Sequence, residues 1–503
     1  MMLLLLLFLR VGGAWGLLQG RDAALVVLSR TTQMALVGKA PTTELEALVT
    51  EVADSRERKF ARMLVSTCER RLGEIDGVLQ QYYEDEELLW WRSLEKKVVF
   101  NASKKRSAKR ATLTALRIGV AQLYFCDGVP ARAAIHATVE AAKRGGGNAK
   151  VVNGVLRSVQ RGAVPVASPE KNASPWILDM SALKEKETKR YLEIAALGPA
   201  PLDLSFKSVD DREKFLLRSN EEAQSSWRLL PCGSLRSMTS SGAFPEGDSF
   251  WAQDAAATAA ASCLIVGSKK GGMVLDTCAA PGGKTAQLAA SNHFGNIVAA
   301  DVAPKRAKSL RANLARLGLD KQITVKREDS AANVSSSSRE EEQLFDAVLV
   351  DAPCSCSGTA RRRPEVLRKT SFGQLLDVQA ALLDAGLAKL KPGGCLVYST
   401  CSFLKPETQD QTEALLRRKP HDVERWPLDA PPTGFHPDAL TDKGDIMLLP
   451  WHLLLPDDYL TGTSQEDKGK TALSDQHRYC DAHYIARFRK KQQPRIEETP
   501  VVP

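Results

Sequence analysis

Acidic residues almost vanish from one stretch of this 503-residue chain: between Lys96 and Arg161 only Asp127 and Glu140 stand against fourteen Lys and Arg. The local excess of +12 exceeds the +9 of the whole protein, so this region is the expected contact for a polyanion. A disulfide framework is also lacking. The ten cysteines stand mostly singly in apolar surroundings, which points to a reducing compartment. Zinc spacing is missing as well: Cys354 and Cys356 form a Cys-x-Cys with no second ligand pair nearby, the seven histidines are scattered, and no metal is expected. The opening apolar run, MMLLLLLFL, is too short for an ordinary membrane-spanning helix, and no stable membrane insertion is expected. Nucleotide motifs fail too. The Gly-x-Gly-x-x-Gly of dinucleotide folds is absent, and a Walker A loop needs Gly five residues before Gly283, where Cys278 stands. Without His-x-Glu and Pro-Cys-x-x-Cys, a cytidine deaminase is disfavoured.

What is present changes rhythm along the chain. The first forty residues carry Arg10, Arg21 and Arg30 with one acid, Asp22, and read as a leader: signal-like, a transit peptide or both, or an amphipathic first helix in the later half. From Pro41 to Gly162 the pattern is helical, with Leu113, Leu116, Val120 and Leu123, then Ala134, Ala137, Val139, Ala141 and Ala142, at helical spacing. A Ser/Pro/Ala-rich stretch, GAVPVASPEKNASP, reads as a linker. Beyond it come a helix over Leu183 to Leu197 and strand-like PLDLSFK and LLPCGSLR.

From Gly247 short β-branched runs alternate with helical ones, which implies a doubly wound, mostly parallel sheet. Ligands in such sheets bind beyond the carboxyl ends of the strands, where Asp276, Asp301, Asp329, Asp351, Cys354 and Cys401 all fall. Gly282 and Gly283 form a turn before a helix start, which suits close approach of a ligand. Asp301 suits a ribose hydroxyl; alone such a residue is more often a helix cap, which the following Pro304 also fits.

AAPGGKT, DAPCS with the following Gly and RRRPE, and GGCLVYSTCS, taken in that order, resemble the RNA cytosine-5 methyltransferases of the RsmB/Fmu and NSUN group. Upstream, PLDLSFK to FPEGDSFWAQDAAATAA is similar to the small α+β segment of the RsmB branch, and DGVPARAAIHATVEAAKRGGGNAKVVNGVLRSV resembles its NusB-like bundle. The resemblance implies an α/β, Rossmann-like methyltransferase domain at 247–490, preceded by a leader at 1–40, an all-α NusB-like RNA-binding domain at 41–165, a linker at 166–182 and an α+β segment at 183–246, with a tail at 491–503. It implies S-adenosylmethionine as cofactor and small-subunit ribosomal RNA as partner, without DNA, for a monomer. The rivals are a tRNA or messenger-RNA cytosine-5 methyltransferase and a non-catalytic RNA-binding assembly factor. A bacterial-type enzyme behind such a leader implies an organelle, plastid or mitochondrion, with the cytoplasm as the alternative.

Carried over by residue, the resemblance puts the cofactor loop on Ala280, Pro281, Gly282, Gly283 and Lys284, the ribose acid on Asp301 and the acid near the adenine on Asp329. The same resemblance implies that Asp351 acts at the cofactor and the base, that Cys401 of Thr400-Cys401-Ser402 is the nucleophile, and that Cys354 serves product release. A nucleophilic thiol works as the thiolate, so a partly ionised, partly exposed Cys401 is expected. Two departures stand out: Cys356 occupies a position usually Gly or Ala, and DLSFK replaces an Arg-x-Asn strand ending.

Overall fold

The computed structural model describes residues 21, 24–25, 54–85, 88, 104–162, 166, 168–218, 226–238, 245, 247–327, 343–368, 373–455 and 477–492. Asp329 lies outside the described residues, as does the leader apart from Arg21, Ala24 and Leu25. Two compact units divide between Ser174 and Pro175.

The first unit is helical: α1 (Ser55–Arg70), α2 (Leu72–Leu79), α3 (Lys104–Phe125), α4 (Ala131–Arg144) and α5 (Ala149–Gly162). Asp54 caps α1 by accepting from the backbone N–H of Arg56 and Glu57, which supplies partners for two otherwise orphaned donors. Leu64, Leu113, Leu116, Val120, Val152, Leu156 and Val159 meet in one core, as the helical spacing predicts. Arg117, one of the fourteen cations, belongs to that core: its guanidinium donates at 2.7 and 2.8 Å to both oxygens of buried Asp76. Arg132, Lys143, Arg144, Lys150, Arg157 and Arg161 are exposed.

Two segments read as lying outside the domains are held by the helical unit, the first through the amphipathic helix that the leader reading left open. Arg21, Ala24 and Leu25 are helical, and Ala24 and Leu25 are buried in the helical core, so the fold does not wait for Pro41. The Arg21 guanidinium lies 4.6 Å from the Phe60 ring and its Nε donates to Gln122 Oε1 at 3.0 Å. The linker is not a free tether either. Buried Asn172 accepts from Gly73 N and Glu74 N with Oδ1 and donates to Glu74 with Nδ2, satisfying the first turn of α2.

The second unit contains two sheets. Strands β1 (Asp203–Phe206), β2 (Trp227–Leu229), β3 (Leu235–Ser237) and β4 (Phe250–Ala252) form a small antiparallel sheet in the order β2-β3-β1-β4. LLPCGSLR, read as one strand-like piece, is the turn and second arm of a hairpin. The segment is no separate body. Arg236 and Asp203, both fully buried, join in two 2.7 Å hydrogen bonds, Arg236 Nη1 donates to the carbonyls of His477 and Tyr479, and Asp203 accepts from Ala255 N.

The large sheet comprises β5 (Met273–Asp276), β6 (Asn296–Ala300), β7 (Ile323–Lys326), β8 (Phe345–Asp351), β9 (Leu390–Thr400), β10 (Val423–Arg425), β11 (Ile446–Leu448) and β12 (His483–Lys490). The order β7-β6-β5-β8-β9-β12-β10, with β11 also on β12, makes the first five parallel and the last three antiparallel additions. The chain reverses direction across the sheet between β5 and β8, and the ligand crevice of a doubly wound sheet opens there.

The burial of Ala24 and Leu25 has a measurable consequence. Burying one leucine is worth about 2 kcal/mol. A chain beginning at Pro41 should therefore melt several degrees below one beginning at Arg21 in a thermal-shift measurement.

Candidate active site

Strands β8 and β9 run side by side, with Asp351 opposite Ser399. Both end at the same level, and the loops that leave them carry Cys354 and Cys401. Their sulfurs lie 3.4 Å apart. Strand pairing alone does not fix side chains beyond the last ladder bond, and a buried carboxylate supplies the rest. Glu407 Oε1 accepts from Ser355 N at 2.7 Å and Gln379 Nε2 at 3.2 Å, while Oε2 accepts from Ser355 Oγ and Ser402 Oγ, both at 2.6 Å. One side chain thus ties the residue after Cys354 to the residue after Cys401. Gly358 adds a backbone bridge: its N–H donates to Cys401 O and its carbonyl accepts from Ala482 N. A Cβ at Gly358 would fall 2.2 Å from Ala482 O, so glycine is required by close approach. Behind the loop, Tyr191 donates to Ser357 O at 2.6 Å and packs on Phe403.

The third thiol also arrives here. Cys356 has a φ of +61°, a left-handed conformation that glycine adopts without strain and other residues rarely do. The sulfurs of Cys354, Cys356 and Cys401 all lie within 4.8 Å of one another. Arg363 Nη1 donates to Cys356 Sγ at 3.7 Å. Cys401 is partly exposed, as expected, but the cluster opposes its ionisation. The hydrogen bond from Cys354 lowers the Cys401 pKa, but Cys356 and burial outweigh it and hold Cys401 well above the ordinary thiol value. Hydrogen bonding by Cys356 and Cys401, with burial, raises Cys354 as well.

On the other side of the switch point, β5 delivers Asp276 and the turn that follows. Gly282 has a φ of +110° and caps the helix Gly283–Ala290, and a Cβ there would lie 2.9 Å from Leu310 Cδ1. Lys284, placed by sequence in the cofactor loop, reaches across to Asp351 at 2.7 Å. Burial opposes the Lys284 charge, yet Asp351 outweighs it and raises the lysine above its usual value. Asp301, at the end of β6, is buried and accepts from Ala280 N and Ala303 N. It therefore braces the turn and the entry to the next helix at once. Beside it Val302 is 57% exposed, an apolar surface open to solvent. Asp276 accepts from Thr285 Oγ1 with Oδ2, whereas its buried Oδ1 has no partner, and burial pushes its pKa up to about 7.

Sequence reasoning named the two thiols, Asp351 and the glycine turn, and the fold brings all of them to one edge. It missed the role of Glu407, which follows the Thr-Cys-Ser motif by only five residues but whose donors lie as far as 52 residues away. It also left open where the three arginines of RRRPE turn. Arg361 donates to the carbonyls of Gly198 and Pro199, and Arg362 pairs with Asp254 and Asp481. Removing the Glu407 clamp strands four buried donors. Glu407→Ala should cost about 3 kcal/mol, read as a lower urea midpoint, and should speed alkylation of Cys401 by loosening the loops.

Residues 263–443 match the family model described as 16S rRNA methyltransferase RsmB/F, and residues 90–161 match the NusB family. A ribosomal RNA small subunit methyltransferase B from Xanthomonas campestris is 31% identical over 405 residues, 78% of this chain and 87% of that one. Its counterpart from Shewanella oneidensis is 33% identical over 320 residues, 60% of this chain and 72% of that one. The crystal structure of PH0851 shares the fold, with a TM-score of 0.63 at 19% identity over 94% of this chain and 99% of that one. With the glycine turn, the strand-end thiols and this extended similarity in agreement, the chain belongs to the RsmB/F family of ribosomal RNA small subunit methyltransferases.

Proposed function

We propose that the protein transfers a methyl group from S-adenosylmethionine to C5 of a cytosine in small-subunit ribosomal RNA, through a covalent bond between Cys401 and the base. The observation that carries this reading is the 3.4 Å approach of Cys354 and Cys401 at adjacent strand ends, next to the Asp351–Lys284 pair.

The residues present fit the methyl donor. Asp276 offers a buried oxygen without a partner, which suits a cationic amino group. Asp301 Oδ2 is engaged by Ala280 N and by Arg306 at 3.1 Å, and Oδ1, which accepts from Ala303 N, keeps a lone pair for a ribose hydroxyl. The exposed side chain of Val302 offers an apolar face for the flat adenine. Asp329, outside the described residues, remains assigned to the adenine by resemblance alone. When bound, the donor supplies an electrophilic methyl carbon.

C5 of cytosine is too weak a nucleophile to take that carbon unaided. A sulfur adding to C6 makes C5 enamine-like, which divides one hard step into easier ones. Cys401 forms this S–C6 bond after giving up its proton. Asp351, held by Lys284 through Oδ2, takes up a proton on its other oxygen, such as the one Cys401 gives up, and donates it toward ring N3, which offsets the negative charge as it develops. After C5 is methylated, loss of the C5 proton breaks the S–C6 bond, and Cys354 assists that release from its position against Cys401. The cytosine has to leave its stack to enter. The exposed cations of the helical unit supply backbone attraction for the RNA.

Two measurements test this reading. Cys401→Ala should abolish methylation without covalent RNA. Cys354→Ala should instead stall after attack and accumulate a protein–RNA adduct that survives denaturing electrophoresis, and Cys356→Ala should retain methyl transfer. An adduct in Cys401→Ala would reverse the two roles. Replacing Arg132, Lys150, Arg157 and Arg161 together by Gln should weaken RNA binding and flatten its salt dependence by about one unit of log–log slope for each phosphate that is no longer neutralised, with cofactor affinity unchanged.

A further inference from the structure

The three sulfurs at the strand ends form an arrangement that the methyl-transfer chemistry does not require. Two thiols suffice for attack and release, yet a third, Cys356, is held beside them in a left-handed backbone conformation. Such a conformation costs about 1–2 kcal/mol for a residue with a Cβ. Strain of this kind is retained where surroundings fix it and is a pointer to function. We propose that Cys354, Cys356 and Cys401 form a three-thiolate site for a thiophilic closed-shell cation, Zn²⁺ or a softer ion of the same preference, and that its occupancy reversibly blocks the enzyme.

The spacing fits. Metal–sulfur bonds of about 2.3 Å place sulfurs about 3.8–4.0 Å apart around a tetrahedral or trigonal ion. Here the three sulfurs lie within 4.8 Å of one another, with one pair at 3.4 Å, so closure on an ion changes no sulfur–sulfur separation by more than about 1 Å. The donor set is soft, which selects such cations over Mg²⁺ or Ca²⁺. Binding forms three metal–sulfur bonds and releases the three thiol protons to solvent, leaving one net negative charge for a divalent ion. The Arg363 guanidinium, 3.7 Å from Cys356 Sγ, faces that charge. The rigidity of the site helps as well: Glu407 and Gly358 already hold two of the three loop positions.

Metal binding does not depend on which thiol attacks the base; only the block on methyl transfer rests on Cys401 as nucleophile. The test therefore reads the metal first. Full-length protein in a phosphine reductant is titrated with Cd²⁺ while thiolate-to-metal charge-transfer absorbance is followed, with Zn²⁺ added in competition. One tight equivalent is expected, weakened about tenfold or more in Cys356→Ser and unchanged in Cys232→Ser, which alters a thiol outside the cluster. Equal binding by the wild type and Cys356→Ser overturns the proposal. Should Cys356→Ser not fold, X-ray absorption of the wild type with one equivalent of Zn²⁺ decides: a shell of three sulfurs supports the site, and a nitrogen and oxygen shell refutes it. Three-sulfur binding without inhibition of methyl transfer would keep the site, overturn the block and count against Cys401 as nucleophile.

Discussion

Glu407 is the constraint on which the rest of the catalytic edge depends. Neighbouring strands bring two chain segments to about 4.8 Å from each other, but a reaction that uses two thiols in succession needs tighter control than a sheet provides past its last ladder bond. A fully buried carboxylate with donors from both loops meets that need, because leaving any of those donors unpaired in the interior is costly. Gln379, from the helix Gly373–Ala388, and Tyr398 of β9 complete the arrangement: Gln379 donates to Glu407 Oε1 and to Pro353 O, and Tyr398 to Glu407 O. The geometry at the sulfurs is therefore set by hydrogen bonds to the residues that follow the thiols rather than to the thiols alone.

Much of this was legible in the sequence. Fully buried parallel strands read as continuous apolar runs, and β5, β6, β8 and β9 appear as MVLD, NIVAA, FDAVLVD and the end of GGCLVYST. Polar residues at the ends of such runs are the ones a doubly wound sheet gathers, so Asp276, Asp301, Asp351, Cys354 and Cys401 could be named together. The rest depended on partners distant in sequence. HYIARFRK gave no separate strand signal, yet it closes the sheet beside β9. Lys284 sat in a glycine turn that suits a cofactor, while its actual partner lies 67 residues further on. The ionisation of Cys401 shows the same dependence: a partly exposed strand end favours it, but Cys356 and burial act against it, and the convergence of the thiols depends on tertiary pairing.

Buried ion pairs set how the chain divides. The Arg236–Asp203 pair has no access to water, and its remaining donors end on carbonyls of the segment that leads into β12. Such pairs are weak sources of net stability, because desolvation offsets much of their attraction, but removing one partner is severe. The small sheet is thereby committed to the catalytic unit, although its strand pattern reads as an independent module. Arg117 and Asp76 act similarly in the helical unit, withdrawing one cation from a surface otherwise rich in them.

The bridge from Ala482 through Gly358 to Cys401 links the timing of synthesis to the rigidity of the thiol loops. Chains emerge N-terminus first, and pairing over long sequence separations forms late. Glu407 can join the two loops once β9 has formed, but the bond from Ala482 N to Gly358 O waits for the segment entering β12. A chain cut before Ala482 would therefore keep the Glu407 clamp but lose the second brace on the thiol loops, so the rigidity of the edge is completed in two stages of synthesis.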